Sequence, residues 1–349
     1  MLIFAVRSKY KVQTKHLQIW QKYSATLHPP GPAILCKSSN ETSEAEGLSF
    51  QIKIIFCSTA FILQVNQADQ WGKTALHKAC QDGHKKIVEH LLKHPDIDVN
   101  AQDNLGQTAL HLAVSGDDID VVDHLLKTED LDLNIQDSFG HSVLHVASRA
   151  GFLQVLKLIL HQSDLEHNLQ DTSGRSCLHL ACWAGNEAAV DILANTEAVN
   201  MNLTNWLGDT VLHQASSWGL TQIVKICLQN MSVEPNLLNR EKNASLAMAV
   251  WEGHLETVRV MLQFEKVDIN LDKDTAENKT NHGEARGRGM TPLHLACERG
   301  WMEIVCLLLD QKNIEIGIEN NQGQTVETIA YTEQIRDLVL QQKQKPKIK

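Results

Sequence analysis

The stretch Trp71–His84, WGKTALHKACQDGH, places a Gly-Lys-Thr just ahead of His77, Cys80, Asp82 and His84. Such residues could cradle a phosphate or ligate a metal. A phosphate-binding loop needs a further glycine five residues ahead of its Gly-Lys, because its backbone N–H groups must wrap the anion, and Gln67 stands there instead. His90 and His94, one helical turn apart, could share a metal, but the sequence offers no third ligand. The eight cysteines contain no Cys-x-x-Cys pair, and neither HExxH, GxGxxG nor a serine-nucleophile motif occurs. The expectation is therefore a protein with no catalytic site, no cofactor and no metal.

The same residues gain a different meaning once the rest of the chain is laid over them. Gly72, Gly106, Gly140, Gly174 and Gly208 follow one another at a constant spacing, Lys242 takes the next place, and after an insertion the series resumes at Gly289 and Gly323. Five positions past this marker lie His77, His111, His145, His179, His213 and His294, with Ala247 and Thr328 as exceptions; seven past it an alanine recurs from Ala79 to Ala330 without exception. The lysine of Gly-Lys-Thr becomes Gln107 and Asp209 in other copies, so it is a variable position. Cys80, Cys182 and Cys297 share one register position beside the alanine, where a small residue is wanted. Repetition at this scale points to architecture.

One unit reads as two short helices. A Thr or Ser two residues past the marker, such as Thr74, Thr108, Thr210 or Thr291, suits a helix N-cap. A glycine such as Gly83, Gly151 or Gly300 suits the left-handed residue that ends the helix. Apolar pairs one turn apart, as in Ile87, Val88, Leu91 and Leu92, then mark a second helix. Two helices this short cannot bury both faces alone, whereas stacked copies can, which predicts a solenoid.

GQTALHLA, GMTPLHLACERG and DGHKKIVEHLLK resemble ankyrin repeats over residues 67–340. The resemblance implies an all-α repeat solenoid, a stack of helix pairs with hairpin-like loops, in which the histidine bridges loops by hydrogen bonds. About eight repeats are expected, at 67–100, 101–134, 135–168, 169–202, 203–236, 237–270, 284–317 and 318–340, interrupted by a polar loop insertion at 271–288. Residues 1–46 form a basic segment expected to be disordered, 47–66 read as a degenerate N-terminal cap, and 341–349 as a Lys-rich tail.

Charge bounds the partners. Residues 1–40 hold no acid but six basic residues, Arg7, Lys9, Lys11, Lys15, Lys22 and Lys37, and the tail adds Lys343, Lys345, Lys347 and Lys349. Removing +6 and +4 from the net charge of -10 leaves -20 for 41–340, which disfavours nucleic acid as a ligand. The apolar start MLIFAV is short for a signal peptide, and no stretch is long enough to span a membrane. The expected location is cytoplasmic, with the Lys-rich end as a weak nuclear signal.

By the same resemblance, a concave face is built from the residues just before and after the marker and from the two before the helix-ending glycine. Five tryptophans fall there: Trp71, Trp183, Trp206, Trp218 and Trp251. Leu105, Phe139 and Leu207 occupy loop tips of the same set, with Arg149, Arg288 and Arg299 nearby in register. Aromatic and arginine anchors dominate interface energetics. With an acidic rim assigned to Asp82, Asp209, Glu241, Glu252 and Glu298, the groove suits a protein or peptide segment of mixed apolar and basic character. The expected function is a non-enzymatic protein–protein interaction scaffold. The alternatives are an adaptor or substrate-recognition array acting with another domain or subunit, such as a ubiquitin ligase or signalling complex, and an enzyme with its site in residues 1–66. A Leu-x5-Asp-aliphatic-Asn spacing ending at Asn100, Asn134 and Asn270 also resembles the context used by an asparaginyl hydroxylase that modifies ankyrin repeats. The sixth repeat, with Lys242, Ala244 and Ala247, is expected to be weakened, and the insertion that follows it reads equally as a local hinge or as a tolerated loop with no function.

Overall fold

The structure, a computed structural model, describes residues 65–271 and 289–344. The basic segment 1–46, nearly all of the cap read at 47–66, all but the first residue of the insertion read at 271–288, Arg288 included, and the end of the tail lie outside the described residues. The chain divides into two compact units, one ending at Ser138 and the other beginning at Phe139. In the first lie α1 (Ala75–Gln81), α2 (Lys85–Leu91), α3 (Ala109–Ser115) and α4 (Ile119–Leu126). The second holds α5 (Val143–Ala150), α6 (Leu153–Leu160), α7 (Cys177–Trp183), α8 (Glu187–Ala194), α9 (Val211–Ser217) and α10 (Thr221–Gln229). It continues with α11 (Ser245–Glu252), α12 (Leu255–Met261), α13 (Pro292–Arg299), α14 (Met302–Leu309), α15 (Val326–Ile329) and α16 (Glu333–Gln344). Among the described residues there is no strand; one isolated bridge pairs Leu238 with Ala244.

Within each unit the first helices of successive repeats pack on one another, and the second helices do the same in a parallel layer: α1 on α3 and α2 on α4, then α5 through α13 and α6 through α14. The recurrent alanine explains how closely they approach. Ala79, Ala113, Ala147, Ala181, Ala215, Ala249 and Ala296 have no exposed surface at all, so any larger side chain would push two helices apart. Ala330, at the end of the four-residue α15, is half-buried. The last helix runs on to Gln344, past the boundary drawn at 340, and Lys343 pairs with Glu327 on its own repeat and so belongs to the array.

Three hydrogen-bonded ladders set the loops. The histidine ladder works as the resemblance implies. The Thr74 N–H donates to Nδ1 of His77 (3.2 Å), which leaves the ring proton on Nε2, and Nε2 donates to the carbonyl of Gln107 in the next loop (2.9 Å). His145, His179, His213 and His294 reach the carbonyls of Arg175, Asp209, Asn243 and Gln324 in the same way, at 3.1, 2.9, 3.1 and 3.3 Å. A second ladder joins the far ends of the repeats. The Asn100 amide donates to the Asp130 carbonyl (2.6 Å) and accepts the Asp132 N–H (2.9 Å), and Asn66, Asn168, Asn202, Asn236 and Asn270 repeat this pair of bonds. The third ladder shapes the loop tips.

Candidate functional site

The loop tips that carry the exposed aromatic residues are turned by an Asp or Asn three residues before the marker. Asp171 Oδ1 accepts the N–H groups of Ser173 and Arg175 (both 2.8 Å); Asn205 Oδ1 does the same for Leu207 and Asp209, and Asn239 Oδ1 for Glu241 and Asn243. Burial alone would push the Asp171 carboxyl up, but these N–H bonds and the Arg175 guanidinium (2.8 Å) outweigh it and hold its pKa below the usual carboxylate range. The turn then exposes its tip and locks it to its neighbour. Trp206 N–H donates to the Ser173 carbonyl (3.1 Å), and Arg240 N–H to the Leu207 carbonyl (3.0 Å). The marker glycine permits this closeness: Gly208 sits at φ +77°, and a Cβ there would lie 2.6 Å from the Arg240 nitrogen. Sequence reasoning missed this Asx ladder, although Asp69, Asp103, Asp137, Asp171, Asn205 and Asn239 share the marker's spacing.

On this frame the second unit presents Phe139, Trp183, Trp206, Leu207 and Trp218, which keep 58, 58, 63, 66 and 47% of their surface exposed. Side chains so open are not core. Trp183 ends α7, Trp218 caps the C-terminus of α9, and Trp206 leans over the Gly174 turn, where a Cβ would meet its ring at 2.7 Å. Trp251 differs, being half-buried with the Arg299 guanidinium stacked 3.7 Å from its ring centroid. Arg299 is thus already engaged within the fold, while Arg149 is exposed at the end of α5. Trp71 and Leu105, 57 and 52% exposed, hold equivalent loop-tip positions in the first unit.

The acidic rim needs one correction. Asp209 is buried and its Oδ1 accepts from the Asn239 amide (2.7 Å), so it belongs to the loop framework. Glu241 and Glu252 are exposed and Glu298 is half-exposed, which keeps the rim of the second unit acidic. Trp301, outside the expected face, packs across Gly253, where a Cβ would meet its ring at 2.8 Å. Its signal was register as well, since Asp118, Asn186 and His254 lie over Gly83, Gly151 and Gly219 in the same way.

Many of the chemistry-bearing residues singled out in the sequence are engaged by the architecture, although Cys306 is exposed. Burial depresses the pKa of His77, His179 and His213, favouring the neutral ring that the ladder requires. It also pushes the thiols of Cys177, Cys227 and Cys297 up to about 12, far from a thiolate nucleophile or metal ligand. His90 Nδ1 lies 2.6 Å from the Lys86 carbonyl and His94 Nδ1 accepts the Asp96 N–H (3.2 Å), so the two rings serve local bonds. Lys73 of the Gly-Lys-Thr donates to Gln81 (2.9 Å). Among the described residues no cluster of three or more His, Cys, Asp or Glu could hold a metal, and no helix is long and apolar enough to cross a membrane. Asn100 and Asn270 use both ends of their amides in the asparagine ladder, and so do Asn168, Asn202 and Asn236, which lack the hydroxylation spacing. The ladder alone therefore accounts for asparagine at these positions.

A family model described as "Ankyrin repeats (3 copies)" matches residues 51–137, 116–205 and 196–273, and one described as "Ankyrin repeat" matches 288–321. The crystal structure of EF0377, an ankyrin repeat protein, superposes with a TM-score of 0.51 at 23% identity, covering 55% of this chain and 98% of its own, a likeness of fold. No curated protein matches the chain. With matched repeats over most of its length and the loop-bridging histidines in place, the chain belongs to the ankyrin-repeat family, whose repeats form a protein–protein interaction module and are typically non-catalytic.

Proposed function

We propose that residues 139–344 hold a protein segment of mixed apolar and basic character on the groove face of successive repeats, and that the chain works as a non-enzymatic scaffold. The observation that carries this reading is the exposure of Trp183, Trp206 and Trp218 together with Phe139 and Leu207. Large aromatic side chains left open to water lose stabilisation that burial would provide, about 25 cal/mol per Å² of apolar surface. A run of them in register on a rigid frame is the pattern of an unfilled binding face. The exposed carboxylates of Glu241 and Glu252 complement basic residues in the partner and would speed its approach.

The test compares the intact chain with a Trp183→Ala/Trp206→Ala/Trp218→Ala variant for binding to a displayed library of short peptides, with helix content followed by circular dichroism. The wild-type chain should select apolar segments enriched in Lys or Arg, and the variant should keep its helix content and lose them. Equal selection by the two proteins refutes the assignment.

A further inference from the structure

The exposed tryptophans of the second unit recur along the stack. Trp183 stands two residues past Ala181 at the end of α7, and Trp218 three past Ala215 at the end of α9. Those alanines are wholly buried and the two helices pack on one another, so the tryptophans are set one helix layer apart, about 8–10 Å. Trp206 and Leu207 hold the exposed loop tip just ahead of α9. A ligand that repeats its own side chains at this interval meets successive layers in register. Polyproline II does so, with three residues and about 9 Å per turn, and it leaves its backbone carbonyls open to indole N–H donors. Aromatic-lined grooves take such segments because the extended form is already set before binding.

This chain carries a segment of that kind. Residues 22–37, KYSATLHPPGPAILCK, lie ahead of the described residues and hold three of the chain's seven prolines, Pro29, Pro30 and Pro32. Proline holds φ near −65° and turns the residue before it away from the helical region, so this sequence favours polyproline II. Leu27, Ile34 and Leu35 supply apolar side chains and Lys22 and Lys37 supply charge, with no acid anywhere in residues 1–40. Residues 41–340 carry -20, and the insertion at 272–288 does not alter that balance because its four basic and four acidic residues cancel. Opposite charge therefore draws the segment towards the repeats.

We propose that residues 22–37 dock on the tryptophan face of the same chain and compete there with an outside partner, a proposal that rests on the groove reading above. The segment has the mixed apolar and basic character which that reading assigns to the partner. The 27 residues from Ser38 to Gln64 span up to about 90 Å and keep the segment at a raised local concentration, so that modest contacts suffice. An outside segment must displace it, which makes the face selective for ligands that bind better than the chain's own.

The probe is a fluorescein-labelled synthetic copy of residues 22–37 with Cys36→Ser. It is titrated into the full wild-type chain, Pro29→Ala/Pro30→Ala/Pro32→Ala and Lys22→Glu/Lys37→Glu. Both sets of substitutions lie outside the repeats, so the face itself is unchanged. Each variant should bind the probe about tenfold more tightly than the wild type, whose own segment then fills the face in about nine molecules of ten. Adding Trp183→Ala/Trp206→Ala/Trp218→Ala to the proline variant should abolish binding with helix content unchanged. Equal, tryptophan-dependent binding by all three chains overturns the docking and leaves the groove reading standing. So does a probe that no chain binds while the proline variant still selects peptides from the displayed library. Binding that survives the tryptophan substitutions overturns the placement on this face. A wild-type dimer in sedimentation that the proline variant lacks overturns docking within one chain and assigns the segment to a second copy. Failure of both the probe and the library to bind overturns the docking and the groove reading together.

Discussion

Repeats five and six are neighbours of equal length built from opposite materials. Repeat five has Gly208 at the loop, Thr210 as N-cap of α9 and His213 bridging to the Asn243 carbonyl (3.1 Å). Repeat six has Lys242, Ala244 and Ala247, so its first helix has no side-chain cap and no bridge. Both nevertheless form their helix pair, and α11 packs between α9 and α13. What they share is the apolar face and the Asx turn. Leu212 and Leu246 are 2 and 1% exposed, Ala215 and Ala249 not at all, and Asn205 and Asn239 turn their loops alike. Core packing and the loop turn are thus sufficient for the repeat, and the cap and ladder are additions that one copy lacks.

The largest expected effect tests that conclusion directly. Leu212→Ala and Leu246→Ala should each cost about 2–5 kcal/mol in urea unfolding followed by circular dichroism, as for other buried leucines. Equal losses mean that repeat six is as tightly packed as repeat five. A much smaller loss for Leu246→Ala would mean that the missing ladder has loosened the sixth core and that packing alone does not make the two repeats equivalent.

Next comes the ladder. His213→Ala removes a buried bridge and should cost about 1–3 kcal/mol, while position 247 has no such bond to lose. The same ladder sets a response to pH. The folded-state pKa values of His77, His179 and His213 are depressed by burial below the ordinary 6.5, so below 6.5 the unfolded chain binds more protons than the folded one. Stability is complete above that value and is lost as pH falls through 6.5 towards the depressed values. The carboxyl of Asp171, also depressed, acts lower, below its ordinary 3.8. Urea midpoints measured on either side of 6.5 should therefore fall on the acid side, and less so in His213→Ala. A midpoint that does not change across that interval contradicts the neutral-ring assignment.

Legibility in the sequence followed the same division between shared and variable positions. The helix pairs, the histidine bridges and the left-handed glycines repeat often enough that the spacing from Gly72 to Gly208 exposes them. The aromatic positions were readable because register ties them to a loop tip or helix end. Asp209 was misread because register gives a position and not a burial: it sits one residue past its marker, where Lys73 is part-exposed, yet Asn239 covers it.

The smallest effect isolates the backbone. Lys242 adopts φ +62°, within the left-handed region that Gly208 occupies at +77°. For a residue with a Cβ this conformation is unfavourable by roughly 1–2 kcal/mol, which the rest of the repeat must offset. Part of the gain on substitution is returned by the greater freedom of glycine in the unfolded chain. Lys242→Gly should accordingly raise stability by about 1 kcal/mol, seen as a higher urea midpoint with an unchanged slope. A gain in stability would show that the strain at the sixth loop is tolerated because the core suffices. Destabilisation would instead show that the lysine side chain makes contacts worth more than the strain, and that the sixth loop is held by its own chemistry.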